Sequence, residues 1–253
     1  MSGKSSLKAA LLALQFLTVI TLVPGLRASR DELRASLSFF PLVGLLIGGL
    51  ASILIWVLSD TASSLLTGVL VTVFLAAITR GLHLDGLADT ADAVASSAPA
   101  PRALEIMKDS CSGALGVTAI VCVLMVKAAS SALLLDQGQW KWFLLLPSLS
   151  RFGLNCLASV TSYARAEGGL GSPFCGPETR ACVVIAGLTA LAAAWFLEGV
   201  IGLAFVFAAA LWSLAVARWA QARFGGVTGD ILGAHLEVTE TLLFLAASVL
   251  AKG

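Results

Sequence analysis

Charge is what this sequence lacks most. Of its 253 residues only 12% are Asp, Glu, Lys or Arg, against about 25% in soluble globular domains. So few charges cannot cover a water-facing surface, and a freely soluble domain is excluded. Net charge is also small, +1 from 16 basic and 15 acidic residues. With no basic stripe interleaved with aromatics, nucleic acid is excluded as a partner. The five cysteines are odd in number and contain no CxxC pair, which argues against a zinc site or a disulfide framework and for small packing residues. No internal repeat is visible, so an inverted-repeat transporter is not suggested.

What the chain has instead is apolar residues, 58% of the total, with a mean hydropathy of +0.94. They fall into runs of membrane-helix length at 7–23, 38–58, 64–79, 113–135, 142–162, 181–197, 200–217 and 236–251, where about 20 residues span a bilayer. The expected fold is all-α: one polytopic, membrane-embedded helical bundle over residues 1–253, with seven to eight spans. The first run resembles a secretory signal, but Pro24-Gly25-Leu26-Arg27 follows it in place of a small-residue cleavage site, so it is expected to stay as a first helix. Basic and base-poor loops alternate. Arg27, Arg30 and Arg34, then Arg80, Arg102 and Lys108, then Arg165 and Arg180, then Arg218 and Arg223 fall on one side, which the positive-inside rule makes cytoplasmic. The acidic clusters fall on that same side. A bacterial inner membrane with the active-site loops facing the cytoplasm is the expected location.

Three constellations carry chemistry. In Arg80-Gly-Leu-His83-Leu-Asp85-Gly-Leu-Ala-Asp89-Thr-Ala-Asp92, helical spacing puts Asp85, Asp89 and Asp92 on one face. Like charges so placed repel, and near the membrane they also lose solvation. A hard divalent cation such as Mg²⁺ would relieve both; the alternative is a solvated acidic helix face. The second is Glu105-Ile-Met-Lys108-Asp109, leading to Gly113 and Gly116. There Asp109 is a further metal ligand or simply a helix cap, and Lys108 a phosphate contact. The third is Gly225-Gly226-Val-Thr228-Gly229-Asp230, continuing to His235, Glu237 and Glu240. A glycine-rich turn opening a helix offers backbone N–H groups to phosphate, and Asp230, Glu237 and Glu240 share a face by spacing. Lys127 and Arg151 lie inside predicted spans, where each would pair with an acid or bind substrate phosphate. His83, beside the first cluster, is a candidate general base. Together these residues fit phosphoryl transfer from a nucleotide-activated donor.

The strings HLDGLADTADA, EIMKDSCSGALG and GGVTGDILGAHLE, with LQFLTVITLVP, FFPLVGLLIGG and YARAEGGLG, resemble the cobalamin synthase (adenosylcobinamide-GDP ribazoletransferase) family nearly end to end. The resemblance implies a membrane enzyme that joins adenosylcobinamide-GDP to α-ribazole or its 5′-phosphate, releasing GMP and using Mg²⁺. It carries over onto His83, Asp85, Asp89, Asp92, Lys108, Asp109, Gly226, Thr228, Gly229, Asp230 and Glu237. Arg80 stands where glycine is expected in some relatives. The resulting assignment is His83, Asp85, Asp89 and Lys108 as catalytic, and Asp85, Asp89, Asp92, Asp109 and Asp230 as metal ligands. Lys108, Arg151, Gly226, Thr228, Gly229 and Glu237 are assigned to substrate phosphate. The lipid bilayer is the second partner, and a homo-oligomer is compatible with the sequence. Two other readings fit less well: a CDP-alcohol phosphotransferase motif continues from Asp-Gly through two residues to Ala-Arg, where Asp89-Thr90 stand here, and an ion-coupled transporter would carry its acids at the bilayer midplane.

Overall fold

The computed structural model describes residues 3–109 and 111–250; Ser110 of the second motif and Ala251 at the end of the last predicted run lie outside the described residues. Ten helices form α1 (Gly3–Leu17), α2 (Arg30–Ser36), α3 (Phe40–Leu58), α4 (Ser64–Ile78), α5 (Leu82–Ala95), α6 (Ala100–Ile106), α7 (Ala114–Asp136), α8 (Lys141–Val160), α9 (Arg180–Phe224) and α10 (Gly229–Leu250). Among the described residues no strand forms, and a single bridge pairs Tyr163 with Val227.

By length and composition five helical stretches suffice to cross a membrane, or six when α4 and α5 are taken together. The seven to eight expected spans differ from this for identifiable reasons. α1 and α4 are each 15 residues long, short of a bilayer on their own. α9 counts once although its chain reverses at Gly199, whose φ of 59° and ψ of −135° are not helical. Its arm 180–198 runs back along α8, since the Gly176 N–H donates to the Ala158 carbonyl and Gly187 meets Phe152. Its arm 200–224 runs along α8 in the same direction, with Trp142 against Phe205 and Ser213 donating to the Gly153 carbonyl.

α8 and α10 form the centre, and the other long helices surround them. Trp56, Phe196 and Leu211 are 76%, 83% and 69% exposed, which fits a lipid-facing exterior. Without water to drive apolar association, close packing of small residues holds membrane helices together. Gly44 and Gly48 do this for α3: a Cβ on Gly48 would lie 2.5 Å from the Phe143 carbonyl oxygen and 2.6 Å from that of Leu144, both on α8. Gly68 lets α4 meet α7 in the same way, with Ala128 O and Ala132 N each 2.8 Å from a built Cβ.

α5 turns 89° from α4 and does not continue the crossing. The turn is made by Arg80 and Gly81, with φ of 58° and 67°. This left-handed conformation suits glycine, which accounts for the expectation of glycine at position 80. Arg80 offsets the strain by donating to the Thr18 carbonyl at 3.0 Å, beyond the end of α1. The motif-bearing segments gather at this end of the bundle. Val227 and Ser162 are hydrogen-bonded across the bridge, and Arg223 reaches the Ala98 carbonyl.

α10 begins seven residues before the apolar run that predicts it, because Asp230 and His235 depress local hydropathy. Glu237 and Glu240 therefore lie inside the helix, not near its start, and both are buried. Lys127 of α7 donates to Glu237 at 2.8 Å and to Glu240 at 2.9 Å. Arg151 of α8 donates to the other oxygen of Glu240, which Ser150 also reaches at 2.9 Å. Two cations and two carboxylates thus cancel inside the bundle. Leaving one buried charge unpaired costs about 3–5 kcal/mol, so Glu240→Ala is expected to lose that much stability in detergent unfolding. Lys127→Met combined with Glu237→Leu, which removes one charge of each sign, is expected to lose much less.

Candidate functional site

α5 crosses α10 backbone against backbone. A Cβ on Gly86 would sit 2.7 Å from the Asp230 carbonyl oxygen, and one on Gly233 would sit 3.2 Å from the His83 Cα. Glycine at both contacts brings the first and third motifs together. A cavity of about 850 Å³ opens at the crossing, with His83, Asp85, Tyr163, Arg165, Gly229 and Asp230 on its wall. One side is apolar: Phe16, Phe40 and Phe174 pack together there, with ring centroids 4.8 Å apart for Phe16 and Phe174 and 5.6 Å for Phe40 and Phe174.

Asp85 and Asp230 face this cavity. Asp89, one turn along α5, is half-buried beside them. Burial raises its pKa, and the charges of Asp85, Asp230 and Asp92 raise it further, to about 6. Neither Asp85 nor Asp89 makes a salt bridge among the described residues. Asp230 does, accepting from Arg165 at 2.8 Å and from the Thr228 hydroxyl at 3.2 Å. His83 is 3% exposed, and its Nδ1 has no hydrogen-bond partner. Burial, then the Arg151 guanidinium, lowers its pKa to about 3, so the ring is neutral.

The other sequence-predicted residues are placed differently. Asp92 accepts from the Gly113 and Gly116 N–H groups at 2.6 and 2.8 Å, capping the N-terminus of α7. This is why glycines stand there: a Cβ on Gly113 would come within 2.6 Å of the Asp92 carboxylate. Asp109 accepts from the Cys111 N–H at 3.1 Å. The five expected metal ligands therefore do not close into one cage, and among the described residues no three His, Cys, Asp or Glu side chains converge as a ligand set. Lys108 is exposed at the end of α6 and pairs with Glu167, whose carboxyl it holds below the usual range by hydrogen bonding. Gly226 and Thr228 are buried in the turn before α10. A side chain on Gly226 would strike the Ser162 carbonyl, while the Thr228 hydroxyl accepts from the Ile231 N–H at 3.2 Å. Both build the turn that presents Gly229 and Asp230. Glu237 and Arg151 belong to the buried ion network.

Sequence reasoning gave no role to Arg165 or Tyr163. The available signal was their place in YARAEGGLG, a polar, glycine-rich string between spans that holds the chain's single tyrosine. The bridge to Val227 carries both to the cavity wall.

Similarity to known proteins runs along most of the chain. The chain matches the model of the cobalamin-5-phosphate synthase family over residues 9–248. It is 42% identical over 243 residues to an adenosylcobinamide-GDP ribazoletransferase of Syntrophobacter fumaroxidans, covering 93% of this chain and 96% of the relative. It is 35% identical over 234 residues to one of Geotalea daltonii, covering 92% and 94%. No solved structure matches. With a family match running from α1 to α10 and relatives aligned over nearly their whole length, this chain belongs to the cobalamin-5-phosphate synthase family.

Proposed function

We propose that this protein is an adenosylcobinamide-GDP ribazoletransferase: it joins the adenosylcobinamide-phosphate part of adenosylcobinamide-GDP to α-ribazole or its 5′-phosphate, releasing GMP. The observation that carries this reading is the meeting of Asp85 and Asp230 at one cavity, in a chain of that family. Neither a CDP-alcohol phosphotransferase nor an ion-coupled transporter gains support from a family match of this extent.

A divalent cation fits the residues present. Asp85, Asp89 and Asp230 supply hard oxygen donors, and the charges of Asp85 and Asp230 add to burial in raising Asp89. Mg²⁺ commonly uses one or two carboxylates and completes its shell with water and substrate phosphate, so a protein-only cage is not needed. Asp85 and Asp230 would hold it, with Asp89 beside them. Bound there, Mg²⁺ would neutralise charge on the pyrophosphate. The residues do the rest. Arg165 on the cavity wall binds phosphate oxygens, with Lys108, paired to the same loop, as a second phosphate contact. His83 accepts the proton of the attacking hydroxyl, and phosphate charge nearby strengthens that weak base. An O–P bond forms from the acceptor hydroxyl to the cobinamide-side phosphorus as the bond to the GMP phosphate breaks. The basic loops share the end of the bundle that carries the cavity, which supports a cytoplasmic orientation in a bacterial inner membrane.

Purified protein given adenosylcobinamide-GDP and α-ribazole is expected to release GMP and form the joined corrinoid with Mg²⁺, and neither with EDTA. A folded protein that gives neither product with either acceptor overturns the assignment. Asp85→Asn is expected to lower turnover at least about a hundredfold, the scale of losing one electrostatic stabiliser, without loss of folded protein. Because the Asp89 pKa is raised in the fold, the folded chain holds a proton there that the unfolded chain releases between the ordinary value and about pH 6, so stability falls as pH rises through that window. Asp89→Asn is therefore expected to raise the melting temperature in detergent at pH 8 and to leave it nearly unchanged at pH 4; the reverse pattern would contradict the shift. Orientation is read separately. With the native cysteines replaced, Ser96→Cys is expected to react with an impermeant maleimide in inverted membrane vesicles and not in intact cells.

A further inference from the structure

Arg165 is the one cation on the cavity wall that is tied to a carboxylate of that wall, Asp230 at 2.8 Å. Two features set this pair apart from an ordinary surface bridge. Its side chains are only 13% and 22% exposed, so solvent screens it poorly. The guanidinium is also incompletely used, because its Nε is buried with no hydrogen-bond partner. Arginine offers five donors in a planar fork suited to phosphate. Here Asp230 engages one terminal nitrogen.

We infer that Arg165 is a placeholder cation on Asp230 that a divalent metal displaces, and that the released guanidinium then binds the phosphates of the nucleotide donor. This rests on the proposed metal-dependent reaction and adds to it a residue and an order of events. The backbone geometry suits the exchange. Arg165 lies two residues beyond Tyr163, whose bridge to Val227 anchors the segment to the turn before α10. Asp230 lies just beyond that same turn. The anchor keeps Arg165 at the cavity while its side chain is free to change partner. Lys108 pairs with Glu167 of the same segment, so one short loop holds Arg165 and the counterion of Lys108.

The exchange makes metal and arginine competitors for Asp230, and arginine and Asp230 partners only while metal is absent. Removing the guanidinium should therefore move two affinities in opposite directions, whereas a purely structural tie would weaken both. Mn²⁺ binding to the detergent-purified full chain is measured by electron paramagnetic resonance, and binding of adenosylcobinamide-GDP by equilibrium dialysis, read from corrin absorbance. Arg165→Gln is expected to bind Mn²⁺ about three- to tenfold more tightly, the worth of a half-buried ion pair. It should bind the donor about tenfold or more weakly in the presence of metal, the worth of a charged hydrogen bond. Asp230→Asn, which frees Arg165 by the other route, is expected to bind the donor more tightly than the unaltered protein in EDTA. Arg165→Lys keeps the charge without the fork; it should leave Mn²⁺ affinity near the starting value while still weakening the donor, and it serves if the glutamine variant does not fold. Unchanged or weaker Mn²⁺ binding in Arg165→Gln, or unchanged donor binding, overturns the exchange while leaving the reaction standing. Absence of Mn²⁺ binding by the unaltered protein, with and without donor, removes the metal reading and this inference together.

Discussion

The crossing of α5 over α10 is the constraint on which the site depends. Gly86 lies on the Asp230 backbone and Gly233 on that of His83, so the helices touch where each carries its chemical residue. A methyl group at either glycine would force the axes apart, and the separation of Asp85 from Asp230 would follow the axes. Glycine in a helix interior costs roughly 0.5–1 kcal/mol relative to alanine. Here that cost sets the distance between two carboxylates borne by distant parts of the chain. The 89° turn at Arg80 and Gly81 serves the same end, since α5 can reach α10 only by leaving the direction of α4.

Below this crossing the bundle faces the usual problem of acids within membrane helices. Glu237 and Glu240 are too deep in α10 to be hydrated, and the bilayer offers no compensation. Lys127 and Arg151 supply it from α7 and α8. A buried network of this kind is weak evidence for stability but is able to fix register, and its three helices also bound the neighbourhood of His83, whose environment includes Arg151, Glu240 and Lys127. Charges assigned from sequence to substrate phosphate thus shape the site from underneath without lining it.

How much the sequence disclosed depended on the kind of signal. Apolar runs located the long helices, because hydropathy reports lipid contact directly. Helical spacing placed Asp85 and Asp89 on one face of α5. Spacing could not show that Asp92 caps α7, because its partners Gly113 and Gly116 lie across a connecting segment. The glycine-rich turn was correctly located as the opening of α10, yet Gly226 and Thr228 are consumed in building it. Here composition was ambiguous: a backbone that cradles an anion and one that packs against Ser162 both need glycine. Arg165 had only its place in a polar, glycine-rich string to mark it, because its position on the cavity wall arises from the Tyr163–Val227 bridge, a contact with no periodicity. The fold-back of α9 was legible in the short break between two apolar runs, even though the helix reads as continuous across Gly199.

The charged groups at the cavity differ in how far the protein itself satisfies them. Asp92 has backbone donors, Asp230 has Arg165, and Lys108 has Glu167. Asp85 and Asp89 make no salt bridge among the described residues, although the Arg165 charge acts on Asp89. A pyrophosphate entering a poorly hydrated cavity needs positive charge that is not already neutralised. Arg165 and Lys108 are each held by a carboxylate, whereas Arg80 on the cavity wall bonds only backbone carbonyls, so in the proposed reaction the first two change partner as phosphate binds. Under the proposed exchange Asp230 releases Arg165 at small cost when another cation takes its place, and the repulsion of Asp89 by Asp85 and Asp230 would favour that replacement. In the proposed reaction the same acids would make metal and phosphate binding mutually dependent, which suits a site that assembles around a highly charged donor and relaxes once its pyrophosphate has been divided.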